Sequence, residues 1–171
     1  MKTTRIALVG LAALLFSVPF GWTQPHDDKE RAELAKAMKE AKVPLAQGVT
    51  ASAKEGKPIS GKYEVEDGKL QLSVYTMKGD KFSEVIVDHK TGKVTKAEAI
   101  TKEDDLKEAK AQSQAMGKAK RSLAAAASDA VKTNAGYRAI SVMPTMKDDH
   151  PMADVTLLKG TDWKTVTEKL D

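Results

Sequence analysis

Between residues 57 and 100 apolar and polar side chains alternate in runs separated by turn signals, and a period of two predicts strands. Ile59 to Glu66 closes on Asp67-Gly68, and Lys69 to Lys78 closes on Gly79-Asp80. Lys81 to Asp88 leads through His89-Lys90-Thr91-Gly92 into a short last strand from Lys93 to about Ala99. If both hairpin turns are two-residue loops, Val65 faces Leu70, Tyr63 faces Leu72, Val74 faces Val85 and Leu72 faces Val87. That face is apolar and is expected to sit on helices. The opposite face carries Lys62, Glu64, Gln71, Ser73 and Glu84 together with Tyr75, Met77, Phe82 and Ile86. It is expected to stay open.

Helical spacing precedes the strands. Leu34, Met38, Ala41 and Leu45 recur at intervals of three and four, and Pro44 suits the first turn of a second helix running to about Glu55 and stopped by Gly56. Further on, Thr101 is expected to cap a helix reaching about Met116. Ser122 is expected to cap Leu123 to Thr133, which Asn134-Ala135-Gly136 ends.

The pattern repeats. Met38-Lys39-Glu40-Ala41-Lys42 matches Met116-Gly117-Lys118-Ala119-Lys120 at an offset of 78, and Lys78-Gly79-Asp80-Lys81-Phe82 matches Lys159-Gly160-Thr161-Asp162-Trp163 at an offset of 81. The excess of three fits a longer loop around Pro144 to Pro151. In the second copy Ala153, Val155, Leu157 and Val166 point inward, while Asp154, Thr156, Leu158, Trp163 and Thr165 point outward. Met77 opposite Phe82 and Leu158 opposite Trp163 become equivalent pairs on the open face. The second copy stops at Asp171 without a fourth strand.

The expected fold is therefore α+β, in two tandem units that each pack one or two helices on a 3–4-stranded antiparallel sheet. Residues 24–100 form unit one and residues 101–171 a degenerate unit two.

The N-terminus changes the charge balance. Lys2 and Arg5 precede the apolar run Ile6 to Phe16, which is too short to cross a bilayer and has the form of a secretory signal peptide over residues 1–23. Cleavage after Gly21 or after Thr23 is open, and an uncleaved N-terminal anchor is the alternative. The 171 residues carry 28 basic and 24 acidic side chains, a net charge of +4. Removing the leader takes two bases and leaves +2. The charges alternate in sign along runs such as Lys102-Glu103-Asp104-Asp105, as on solvated helix faces, so the chain is not expected to bind nucleic acid. Contact with a membrane is expected only through an uncleaved leader. With no cysteine in the chain, a disulfide framework, a thiol nucleophile, Cys-ligated zinc and a lipidated N-terminal cysteine are not expected.

Candidate chemistry is thin. Gly56-Lys57-Pro58-Ile59-Ser60-Gly61-Lys62 matches a phosphate-loop pattern, but Tyr63 stands where Ser or Thr would hold magnesium, and the segment joins a helix to a strand. His26-Asp27-Asp28, Asp88-His89 and Asp148-Asp149-His150 lack the ligand spacing of a closed metal site. A nucleophile needs a base within hydrogen-bond reach, and the three histidines lie in a tail, a turn and a loop. No catalytic residue, metal or cofactor is expected. Tyr75, Met77, Phe82, Ile86, Leu158 and Trp163 are the candidate protein-binding residues, because aromatic side chains dominate interface energetics. The competing expectation is that the two copies, or the helix between them, bury these residues.

Phe82-Ser83-Glu84-Val85-Ile86-Val87-Asp88-His89-Lys90-Thr91-Gly92-Lys93-Val94 resembles the end of a PepSY domain, whose hallmark is an apolar strand closing in V-D-x-x-T-G-x-V. Asp88 and Thr91 are suited to bond the turn's own amides, with Gly92 taking positive φ. The resemblance covers about Ala32 to Ile100, and Leu106 to Asp171 is similar to a degenerate copy. It implies helices on an antiparallel sheet, a secreted or periplasmic location, and a non-catalytic role in binding and regulating an envelope or secreted peptidase. A periplasmic small-ligand or metal-sensing module is the alternative.

Overall fold

Asp67 and Gly68 both take positive φ (49° and 72°), and so do Asp148 and Asp149 (49° and 63°). That mirror-image turn matches the twist of the flanking strands and closes two tight hairpins. The computed structural model describes residues 28–171; the expected leader and His26 lie outside them. The elements are α1 (Asp28–Ala37), α2 (Leu45–Ser52), β1 (Lys57–Glu66), β2 (Lys69–Lys78), β3 (Lys81–Val87) and β4 (Val94–Ala99), then α3 (Glu103–Lys118), α4 (Leu123–Thr133), β5 (Arg138–Lys147), β6 (His150–Lys159) and β7 (Asp162–Lys169). The class is α+β, with four helices and one antiparallel sheet among the described residues.

The sheet is continuous, in the order β4-β3-β2-β1-β5-β6-β7. The expectation of a separate sheet for each half gives way to this single one. The seam is the antiparallel pairing of β1 with β5 through Gly61 opposite Val142 and Lys62 opposite Ser141. It is short because both strands bulge beside it, at Ile59 and at Ile140. All four register pairs expected in the first half are present, as are Met77 opposite Phe82 and Leu158 opposite Trp163.

Strands β5, β6 and β7 begin 81 residues after β1, β2 and β3 (138 against 57, 150 against 69, 162 against 81). Helix α4 begins 78 residues after α2, at Leu123 against Leu45, and ends 81 after it, at Thr133 against Ser52. The three extra residues thus lengthen α4 by almost one turn. They do not make a longer loop: Pro144 lies inside β5 opposite Ala153, and Pro151 inside β6 opposite Met146.

Helices cover both faces of the sheet. On the first face lie α2 and α4, in contact with each other and with the strands beneath. Gly48 of α2 sits so close to the sheet that a Cβ there would come within 2.1 Å of a Leu72 methyl. Leu45, Val49, Leu72 and Val74 are buried there, as are Leu123, Ala126 and Ala130 of α4. Burying a Leu or Val side chain stabilises by about 1.5–3 kcal/mol, which an isolated Ala-rich helix cannot match from propensity alone.

On the second face, α3 packs across β1, β5 and β6. The Ser60 hydroxyl donates to Gln112 Oε1 at 2.6 Å, and Lys57 Nζ donates to the Met116 carbonyl at 2.6 Å. Arg31 of α1 stands over the Trp163 ring on this same face, 5.8 Å from its centroid. The sheet is the middle of three layers.

The helix ends follow local chemistry. Ser122 caps α4 by accepting from the Ala125 amide at 3.1 Å, as expected. Thr101 does not cap α3: the cap position is Lys102, and Glu103, Asp104 and Asp105 instead oppose the positive end of the helix. Pro44 is the residue just before α2, which ends at Ser52 and so falls short of Glu55.

Candidate functional site

The second sheet face was expected to be open, and α3 closes its centre. Tyr75, Phe82 and Leu158 are buried, at 3%, 8% and 6% exposure, and Met77 and Trp163 are half-buried against the same core. Ile86 is half-buried at the margin, beside the tip of the first hairpin. The six residues therefore do not form one apolar patch. Sequence spacing could not reveal this, because α3 carries its buried residues Ala109, Gln112, Ala115 and Met116 on a stripe of low hydrophobicity.

The turn motif Asp88, Thr91, Gly92 is built as its chemistry suggests. Asp88 Oδ1 accepts from the Lys90 amide (3.1 Å), the Thr91 amide (2.6 Å) and the Thr91 hydroxyl (2.7 Å), and Gly92 has φ of 76°. The Thr91 hydroxyl holds the Asp88 carboxyl below its ordinary range, helped by the amides. The turn is also an anchor, because the His89 carbonyl accepts from the Lys42 and Val43 amides at 2.9 and 3.0 Å. At the matching place in the other half, the Leu170 carbonyl accepts from the Lys120 and Arg121 amides at 2.7 and 2.9 Å. Each helical linker is thereby tied to the end of a strand. Arg138 secures the first linker further by donating to the Met38 and Ala41 carbonyls at 2.9 Å each. Tyr63 donates to the Val43 carbonyl, and burial pushes its phenol up to about 12, with Arg138 pulling the other way.

Where α3 does not reach, the second face is polar. Lys62 pairs with Glu64 at 2.6 Å, Ser73 donates to Glu84, and Gln71 donates to Glu66. A cleft of about 710 Å³ opens beside them, between Glu40, the hairpin tip, Asp88 to Lys90 and Lys96. His89 Nδ1 is buried without a hydrogen-bond partner there. Among the described residues no three His, Asp or Glu side chains converge as metal ligands. His150 Nδ1 lies 2.6 Å from an Asp171 oxygen, a contact that holds the Asp171 carboxyl low, while the neighbouring Asp149 faces Lys118 at 3.6 Å.

The feature that spacing alone did not single out is the outer edge of β7. Among the described residues β3 is flanked by β4, and no strand flanks β7 on the side away from β6. Its ladder with β6 runs from Lys159 opposite Asp162 to Met152 opposite Lys169 without a bulge. The Leu170 amide donates to the Pro151 carbonyl, so main-chain groups of the even-numbered residues point toward β6. Those of Trp163, Thr165 and Thr167 point outward. The Arg121 guanidinium donates to the Lys169 carbonyl at 2.6 Å and ends this free edge.

No family model and no curated protein matches the chain. Among solved structures, a crystal structure of a "putative lipoprotein" from Clostridium difficile 630 is similar at 15% identity, covering 77% of this chain and 88% of that chain with a TM-score of 0.43. No described helix is long and apolar enough to cross a membrane.

Proposed function

We propose that the chain is an exported, non-catalytic protein-binding module of two PepSY-like units fused through β1 and β5, and that it binds by adding a partner's strand to β7. The observation that carries this reading is the regular edge of β7, which no described strand covers, with the amides and carbonyls of Trp163, Thr165 and Thr167 facing outward. Such an edge is a ready template for an extended chain. The constant offset of 81 residues between the strands of the two halves supports the tandem reading, and the built Asp88-Thr91-Gly92 turn supports the PepSY resemblance. The leader pattern supports export.

Restraint of an envelope or secreted peptidase is the most specific version. Peptidase clefts take extended chains through main-chain hydrogen bonds, and β7 offers the same groups held in a rigid frame. Burial of Tyr75 and Phe82 removes them as contact residues and leaves Trp163, half-exposed at the start of β7, as the aromatic anchor.

The test is a Thr165→Pro variant. The Thr165 amide points away from β6, so proline removes an outward donor and no ladder bond. The variant is expected to keep the parent's circular dichroism and to lose both capture of a partner from envelope extract and inhibition of secreted peptidases. Equal capture and inhibition by the folded variant would overturn the reading.

A second reading, a small-ligand or metal sensor, is favoured by the unpartnered His89 Nδ1 beside the polar cleft. It predicts a rise in melting temperature with zinc, nickel or a small ligand that His89→Ala abolishes.

A further inference from the structure

The edge of β7 carries a charge pattern that complements itself, and we propose that it pairs with β7 of a second copy of this chain in an antiparallel register centred on Val166. This rests on the reading of β7 as a strand-adding edge and names the occupant. Two antiparallel edge strands can pair only in registers that bring outward-pointing residues opposite one another, so the symmetric axis must pass through a residue of β7. Centring on Lys164 sets that lysine against itself. Centring on Thr165 sets Asp162 against the partner's Glu168. Centring on Thr167 leaves Glu168 against the partner's Val166.

Centring on Val166 removes each of these conflicts. Lys164 then faces the partner's Glu168, twice by symmetry, and Val166 faces itself on the axis. On the other face Thr165 meets the partner's Thr167, and the ladder stops there, where Arg121 holds the Lys169 carbonyl. Opposite charges, paired threonines and paired β-branched residues are the side-chain pairs that stabilise antiparallel ladders. Lys164 is held in place for this, its ammonium 4.4 Å from the Tyr137 ring centroid, with Tyr137 itself bonded to Asp162. The pairing is isologous and closes as a two-fold dimer, whereas joining β7 to the β4 edge would continue as an open filament. The β4 edge is the less suitable surface in any case, since its ladder with β3 is irregular at Val87.

The test uses the full chain. Sedimentation is expected to give a dimer, and Lys164→Glu or Glu168→Lys alone to raise its dissociation constant about tenfold, since each sets like charges opposite one another at two symmetric places. The double charge swap restores complementarity and is expected to restore the dimer. The chain has no cysteine, so Val166→Cys reports the register directly. Under mild oxidation with diamide it is expected to crosslink, and Thr165→Cys is not. A monomer at every concentration, a dimer indifferent to both charge reversals, or faster crosslinking of Thr165→Cys than of Val166→Cys overturns the proposal. A monomeric parent whose capture of a foreign protein is lost in Thr165→Pro overturns self-pairing and leaves strand addition standing. A dimer that persists in folded Thr165→Pro overturns self-pairing, and equal capture of a foreign protein by that variant overturns strand addition as well.

Discussion

Ser60 of β1 donates a hydrogen bond to Gln112 of α3 at 2.6 Å, and both side chains are buried between the sheet and the helix. The pair joins the two halves of the chain across a distance of 52 residues. It marks the face on which Tyr75, Phe82 and Leu158 are lost to solvent. Gln112→Leu strands the Ser60 hydroxyl without a partner and is expected to cost about 1–3 kcal/mol. Adding Ser60→Ala to it is expected to recover part of that loss, because no buried donor is then left unmade. A double-mutant cycle by urea unfolding checks the sign of the coupling.

Gly48 sets how closely α2 approaches the sheet. In an isolated helix Gly→Ala gains about 0.5–1 kcal/mol. Here the added carbon would lie 2.1 Å from Leu72 Cδ2 and 3.0 Å from Cγ, and forced repacking of this kind costs about 1–3 kcal/mol. The clash outweighs the propensity, so Gly48→Ala is expected to lower the melting temperature. Gly117, at the end of α3 with open space around it, is the control, and Gly117→Ala is expected to be neutral or stabilising.

The Asp88 turn predicts a pH effect of definite sign. Its carboxyl is held below the ordinary value of 3.8 by the Thr91 hydroxyl and by two amides. A depressed pKa contributes stability that is present above about pH 4 and is lost as pH falls through the folded value. Asp88→Asn is expected to destabilise at neutral pH, with the deficit shrinking in acid. Gly92→Ala acts without any pH dependence: φ of 76° costs an alanine about 1–2 kcal/mol, and its Cβ would press on the Gln47 amide at 3.1 Å.

Glu64 predicts the opposite sign. Burial raises its carboxyl above 4.5, and the neighbouring Glu84 and Glu66 add to the rise, against the pull of Lys62. The folded state holds this proton more tightly than the unfolded state does. The stabilising contribution is therefore complete below about pH 4.5 and is lost as pH rises through the folded value. Glu64→Gln is expected to gain on the parent between about pH 4 and pH 7, and chemical denaturation across that range reads the crossing.

Much of the sheet was legible because its signals are local. Asp67-Gly68 and Gly79-Asp80 fix two hairpins, and a fixed hairpin fixes which residues share a face. The Asp88-Thr91-Gly92 turn was legible for the same reason. What spacing did not contain was the layer above. Gly61 opposite Val142 is a long-range pairing that joins the halves into one sheet, and no turn chemistry announces it. Helix α3 hides its packing role because Ala109, Gln112 and Ala115 are small or polar, so its buried stripe looks solvated. The candidate site shifted accordingly, from aromatic residues that the core uses to an edge defined by main-chain groups, which composition does not encode. Trp163 belongs to both descriptions.

A strand received at the edge of β7 would protect its outward amides. Residue-resolved hydrogen exchange of Trp163, Thr165 and Thr167 across a dilution series, repeated with any captured protein, measures that directly. These three amides are expected to exchange fast when the chain is dilute and alone, and Thr165 and Thr167 to be strongly protected when it is concentrated or bound, with the inward amides of Lys164 and Val166 slow throughout. Unchanged exchange at Thr165 and Thr167 under every condition, or protection appearing elsewhere on binding, would contradict it.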